Sequence, residues 1–170
     1  MKTTFIIFIV IAMTSNLFSQ SPSWKWANQQ SPGGISNSSG KCISVDANGN
    51  SYVTGGFGGS IILGGITLTS VGSYDMYIIK YNSNGIALWA KSAGGTGYDY
   101  GGIGINVDIA GDVYVTGGFS STAITFGTTT LAHVGTGYSD IFIAKYSSAG
   151  DVLWAKSAGG IAEDYGVSLL

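Results

Sequence analysis

The chain has no arginine, one cysteine, one histidine and two prolines in 170 residues, and only 9% of it is charged. Each shortage excludes something. Without arginine forks, and with seven lysines against nine acidic residues, there is no basic stripe for nucleic acid. A lone Cys42 cannot form a bridge within the chain, so the fold must stand without disulfides; Cys42 reads as a small buried residue. A single His133 without a nucleophile context makes no triad, and no His/Cys cluster offers a zinc site. His133 is expected as a surface-loop residue. No window repeats apolar residues at i, i+3, i+4, so amphipathic helices are not expected. What is abundant is glycine (28) and aromatic residues, with ten Tyr and four Trp. Such a chain relies on backbone pairing and aromatic packing.

The first twenty residues differ from the rest. Lys2 precedes nine unbroken apolar residues, Phe5 to Met13, followed by a small polar stretch. That pattern reads as a secretory signal peptide over 1–20, cut near Ser19 or Gln20, with a buried N-terminal strand as the alternative. The apolar run is too short to span a bilayer, and no later run is longer. A secreted, extracellular or cell-surface location is expected.

The remainder is built from a repeat. VDANGNSYVTGGF (Val45 to Phe57) returns as VDIAGDVYVTGGF (Val107 to Phe119). DMYIIKYNSNGIALWAKSAGG (Asp75 to Gly95) returns as DIFIAKYSSAGDVLWAKSAGG (Asp140 to Gly160), with a slightly longer step between the copies. Trp26-Ala27 with Gly33-Gly34 echoes the end of that unit, which makes 21–40 a partial repeat, a closing strand with a linker. Repeats follow over 41–102 and 103–166, and 167–170 opens another. A fixed period of this kind signals stacked units that bury their faces against neighbours.

Each copy holds four strand-like runs: Cys42 to Val45, Ser51 to Phe57, Met76 to Tyr81 and Ile86 to Ser92, then Ile103 to Val107, Val113 to Phe119, Ile141 to Tyr146 and Asp151 to Ser157. Asn48-Gly49 predicts a type I′ hairpin turn. A variable stretch, Gly58 to Tyr74 against Ser120 to Ser139, absorbs the length difference and contains a candidate extra hairpin (ILGGITL, ITFGTTTL). Four short antiparallel strands per unit, with no helical spacer, predict an all-β chain of β-propeller blades. Trp89 and Trp154 would supply large apolar area to blade contacts. The Trp26 strand could close a ring.

These residues resemble the SBBP repeat, a bacterial β-propeller unit with a D-x-x-G-N-x-Y-x-T-G core followed by D-x-[FY]-[IV]-x-K-[YF], then W-A-K and Gly-Gly. The likeness covers most of 41–166. Asp112 departs from the Asn of the core, a change that suits a turn equally well. The resemblance implies exported or cell-surface proteins, often long, and a fold more than an activity. A closed propeller has four to eight blades, so two blades predict an incomplete one. Further blades are expected from missing sequence or from other chains.

Candidate chemistry meets a structural alternative at every position. Asp46, Asn48 and Asn50 alternate like the start of a calcium loop, but Ser51 occupies the position where glycine is needed and Ala110 replaces a ligand in the second copy. Turn chemistry is the simpler reading. Asp99 and Asp164 recur beside Tyr-Gly and are expected to cap backbone amides. Glu163 beside Asp164 has Tyr98 as its counterpart, so no carboxylate pair is located. Lys80, Lys145, Lys91 and Lys156 are expected to cover apolar edges while keeping their charge in water. The TGG runs and GG pairs read as turns. The expectation is a non-catalytic scaffold with no catalytic, cofactor or metal residues, binding an extracellular macromolecule or glycan through the variable stretches. Two alternatives stand beside it. One is a lectin-like propeller using Tyr74, Tyr98 and Tyr138; the other is an accessory segment of a longer secreted hydrolase.

Overall fold

The computed structural model describes residues 25–27, 31–32, 37–135 and 137–169. The expected signal peptide and Gly33-Gly34 lie outside the described residues. Among the described residues all regular structure is β, and no helix is long and apolar enough to cross a membrane. The first sheet joins β2 (Ser38–Val45), β3 (Ser51–Phe57), β6 (Asp75–Tyr81) and β7 (Ala87–Ala93) in that order, all antiparallel. The second joins β8 (Asp99–Val107), β9 (Val113–Phe119), β12 (Asp140–Tyr146) and β13 (Val152–Ala158) in the same way. The registers also repeat: Tyr52 faces Lys80 as Tyr114 faces Lys145. The fold is therefore all-β, with two four-stranded propeller-like blades. The first strand of each blade begins earlier than its sequence run, because bulges at Gly40 and near Gly101 let the ladder continue past glycine.

The four tight turns share one design. Asp46, Asn82, Asp108 and Ser147 each donate their N–H to the carbonyl four residues on, and Gly49, Gly85, Gly111 and Gly150 each donate back to the carbonyl three residues before. The side chains of the four leading residues accept the N–H groups two and four residues ahead; for Asp46 these are Asn48 and Asn50, both at 2.9 Å. The type I′ expectation at Asn48-Gly49 fails. Among the described residues no non-glycine residue takes positive φ, and Gly49 alone does so in this turn (φ 78). The turn is the longer kind, a right-handed turn closed by a left-handed glycine.

Between the second and third strands each blade inserts the predicted hairpin: β4 (Ser60–Leu63) with β5 (Ile66–Thr69), and β10 (Ala123–Phe126) with β11 (Thr129–Ala132). Ile61, Leu63, Ile124 and Phe126 are fully buried, so the hairpins are anchored in the core rather than held as free loops. Each also reaches back to the preceding unit. Ile62 pairs with Ser31 of β1 (Ser31–Pro32), and at the equivalent place in the next unit Thr125 pairs with Gly94, just past β7. The hairpin therefore clasps neighbouring units together.

Blade stacking follows the repeat as well. Ile105 is 4% exposed against blade one, whereas its counterpart Ile43 is 59% exposed. All of β6 is buried, while alternate residues of β12 are only half-buried. One carbonyl latches the two blades: Ser148 O accepts from both Lys80 Nζ and Trp89 Nε1 at 3.1 Å. Trp89 lies under Gly150 of that turn as Trp26 lies under Gly85, and a Cβ on either glycine would strike the indole within 3 Å. The expected blade-contact role of Trp89 is realised in this way. Cys42 is free and half-buried at the edge of the shared core.

Candidate functional site

Every strand of a meander ends at one of two poles. The tight turns occupy one pole. At the other lie the loops around 58–59, 70–74 and 94–98 of the first unit, and 120–122, 133–135, 137–139 and 159–165 of the second. At this loop pole Ser73 and Tyr74 bond Gly97 and Asp99 through backbone groups, and Ser120 bonds the Tyr98 carbonyl, so the loops support one another across the blades. They carry no lysine.

Buried carboxylates hold the loops in place. Asp75 accepts Val71 N–H at 2.8 Å and Gly72 N–H at 3.4 Å. Asp99 accepts Gly95 N–H at 2.7 Å and Ser121 N–H at 3.1 Å. Burial raises the pKa of both above the usual carboxylate value, against the lowering effect of those amides; the charge of Asp99 adds to the rise at Asp75. Asp99 thus caps amides as the sequence suggested. Asp164 bonds Ser139 through its own backbone: its N–H donates to the Ser139 carbonyl, and its carbonyl accepts the Ser139 hydroxyl at 3.3 Å. His133 is not the surface side chain expected: only 8% exposed, it sits edge-on to Phe119 beside Asp140 and meets the Tyr138 carbonyl.

Over these anchors runs a file of tyrosines. Tyr74 and Tyr98 stack at 4.8 Å with 7° between their planes. Tyr98 meets Tyr100 at 5.1 Å and 71°, and Tyr100 meets Tyr165 at 5.2 Å and 81°. Tyr98 and Tyr165 are exposed, Tyr100 is half-buried between them, and Tyr74 is buried beneath. This row, two exposed rings flanking a less exposed one, is referred to as the trough. Glycine makes it possible. A Cβ on Gly56 would fall 2.3 Å from the Tyr74 ring, and one on Gly118 would fall 2.8 Å from the Tyr165 ring. The TGG runs are therefore strand interiors that admit aromatic rings, not the turns expected. Ser39 holds the Tyr74 hydroxyl at 2.9 Å. The Glu163 carboxylate accepts the Tyr165 hydroxyl, the main cause of that phenol being pushed up to about 12.

Of the three tyrosines expected to bind, Tyr98 lies in the trough, Tyr74 is buried under it, and Tyr138 is exposed but outside the file. Tyr100 and Tyr165, which the sequence presents only as neighbours of Asp99 and Asp164 in the repeated Asp-Tyr-Gly, supply the other two rings. At the turn pole the Asp46 carboxylate is filled by its own loop: it takes Asn48 and Asn50 N–H, Asn50 Nδ2 at 2.7 Å and the Tyr52 hydroxyl at 3.1 Å. Partial burial opposes this, but the bonds outweigh it and hold the acid below its usual value. Among the described residues no three His, Cys, Asp or Glu side chains converge. Lys80 departs from the expected exposed charge: it is buried over the Tyr52 ring, with its ammonium on the blade latch. Lys145 turns instead to Asp112 at 2.8 Å and Asp108 at 3.6 Å. Lys91 is half-buried on β7, and Lys156 is exposed.

No protein-family model matches the chain. It is 30% identical over 127 residues, 66% of its length, to an uncharacterized WD repeat-containing protein of Acanthamoeba polyphaga mimivirus. The chain spans 9% of that relative. With two equivalent blades and a relative named for its repeats, this chain is a repeat protein of the propeller type.

Proposed function

We propose that this protein is a non-catalytic interaction scaffold whose contact surface is the loop pole, with the tyrosine trough at its centre. The observation that carries the reading is the pairing of exposed aromatic rings with a fixed base: Tyr98 stands on a loop that buried Asp99 holds through the Gly95 N–H, and Tyr165 lies between Asp164 and Gly166, whose N–H groups bond the Ser139 and Gly117 carbonyls. Exposed aromatic side chains on a fixed support are the usual anchors of binding. The relative's name agrees with a repeat scaffold. Export to an extracellular or cell-surface setting is part of the proposal, supported by the sequence of 1–20, as is membership of the SBBP repeat type, supported by the D-x-x-G-N-x-Y-x-T-G core. The variable stretches contribute less than their sequence suggested, because their hairpins serve the clasp. The length change falls in the short segments flanking the hairpins.

A second reading, glycan binding, is favoured by the same rings, since aromatic faces also stack on sugars. Panning a displayed random-peptide library and a glycan array on the full chain, with a Tyr98→Ser/Tyr165→Ser chain alongside, separates the two. Peptide ligands that bind the double variant at least about tenfold more weakly are expected. Glycan hits alone, lost in the variant, would replace the first reading with the second. Ligands indifferent to the substitutions would place the contact surface elsewhere.

A further inference from the structure

We propose that the trough of Tyr98, Tyr100 and Tyr165 takes a proline-rich segment in the polyproline II conformation, with a basic residue beside the prolines; this rests on the loop pole being the contact surface. Three observations carry it. The first is spacing. Steps of 5.1 and 5.2 Å put the outer rings no farther apart than about one polyproline II turn, three residues at roughly 3.1 Å each. Residues i and i+3 of such a helix share a side, so they can rest on Tyr98 and Tyr165 while the chain between them passes over Tyr100. The second is shape. The central ring meets both neighbours edge-on and is less exposed than either, so a segment laid along the row meets two exposed rings with a lower ring between them. Proline-rich segments dock in aromatic-lined grooves, and they lose little entropy because the helix is preformed. The third is charge. The surrounding loops contain no lysine, while Glu163 and Asp164 border the Tyr165 ring. Glu163 already accepts the Tyr165 hydroxyl, which fixes a negative charge at that end of the row.

The outer rings are held in place before any ligand arrives. Tyr98 is backed by the buried Tyr74 ring, itself seated on Gly56 and tied to Ser39. Tyr165 is seated on Gly118. Neither ring needs to be ordered by the peptide, so affinity is not spent on fixing them.

The test is titration of the full chain, followed by tyrosine fluorescence and by calorimetry. The probe is a synthetic Lys-flanked decaproline; a Gly/Ser peptide of equal length and charge and a Glu-flanked decaproline are the comparisons. Saturable binding at least about tenfold tighter for the Lys-flanked decaproline than for the Gly/Ser peptide is expected. Its preference over the Glu-flanked decaproline should shrink with salt. Tyr98→Ala and, separately, Tyr165→Ala should each weaken binding about tenfold or more. Tyr138→Ala, exposed but outside the file, should leave it unchanged. Circular dichroism melts confirm that the variants are folded, and Tyr165→Ala carries the test if Tyr98→Ala is not. No preference for decaproline over Gly/Ser overturns the inference, as does binding that ignores both trough substitutions. If panning still yields peptides sensitive to Tyr98→Ser/Tyr165→Ser, the contact surface stands and only the polyproline assignment falls.

Discussion

Asp75 and Asp99 set how this fold responds to pH. Burial raises both carboxyls above 3.8, so the folded state holds their protons more tightly than the unfolded chain. The stability they contribute is complete below the unfolded pKa and is lost as pH rises through the folded one. Asp46 and Asp108 have the opposite sign. Burial works to raise them, but hydrogen bonds outweigh it, led by the Asn50 side chain at Asp46, with the Asn50 N–H and Tyr52 behind it, and by the Asp112 and Ala110 N–H groups at Asp108, with Lys145 behind them, and hold both below 3.8. Their contribution is lost as pH falls. The melting temperature is therefore expected to rise as pH falls through the raised pKa values of Asp75 and Asp99 toward 3.8, and to turn down below 3.8 as Asp46 and Asp108 take up protons. Thermal melts across that range check it; a steady decline from neutral pH would contradict the assignment. Asp99 was legible in sequence as an amide cap because Asp close to Gly has few other structural uses. Tyr100 and Tyr165 were not. Their meaning depends on Gly118 and on ring contacts between separate loops, which no local pattern encodes.

Between elements, the latch at Ser148 distinguishes two lysines that the sequence presents as equals. Lys80 and Lys145 occupy the same register in the same motif, yet one is buried across a blade boundary and the other pairs with acids of its own blade. Lys80→Ala removes a charged donor from the Ser148 carbonyl and an ammonium from the Tyr52 face, a loss of about 1.5–3 kcal/mol. Lys145→Ala should cost less, because its half-buried pairs with Asp108 and Asp112 stay within one blade and partly open to screening water. Urea unfolding of both variants decides; equal losses would mean that the latch adds nothing. Strands and hairpins were readable because alternation and glycine placement are local properties. The turn type was misread for a related reason. Asn-Gly suits a two-residue turn, but β2 and β3 stop pairing at Val45 and Ser51, and the residues left between them adopt a longer one.

Across the whole molecule, burial of a repeat position depends on whether a neighbouring blade covers it. Ile43 and Ile105 are the same residue in the same place, 59% and 4% exposed. Ile105→Ala should cost about 2–5 kcal/mol by removing core contacts. Ile43→Ala should change stability by no more than about 0.5 kcal/mol. Comparable losses in denaturant melts would show that the face of β2 is covered in solution. The two blades act as one core because Tyr52, Met76 and Ile78 of the first share a cluster with Ile105, Val115 and Phe142 of the second.

By itself the sequence determined that the chain is all β, where its strands and hairpins fall, and that the unit repeats. Glycine, alternating apolar residues and turn formers act over a few residues, and a repeat is visible as identity. Only the tertiary structure decided which of two equivalent isoleucines is buried, which of two equivalent lysines crosses a blade boundary, and which tyrosines meet. Those outcomes depend on atoms brought together from segments far apart in the chain, where packing and solvent exclusion rather than local preference select the arrangement.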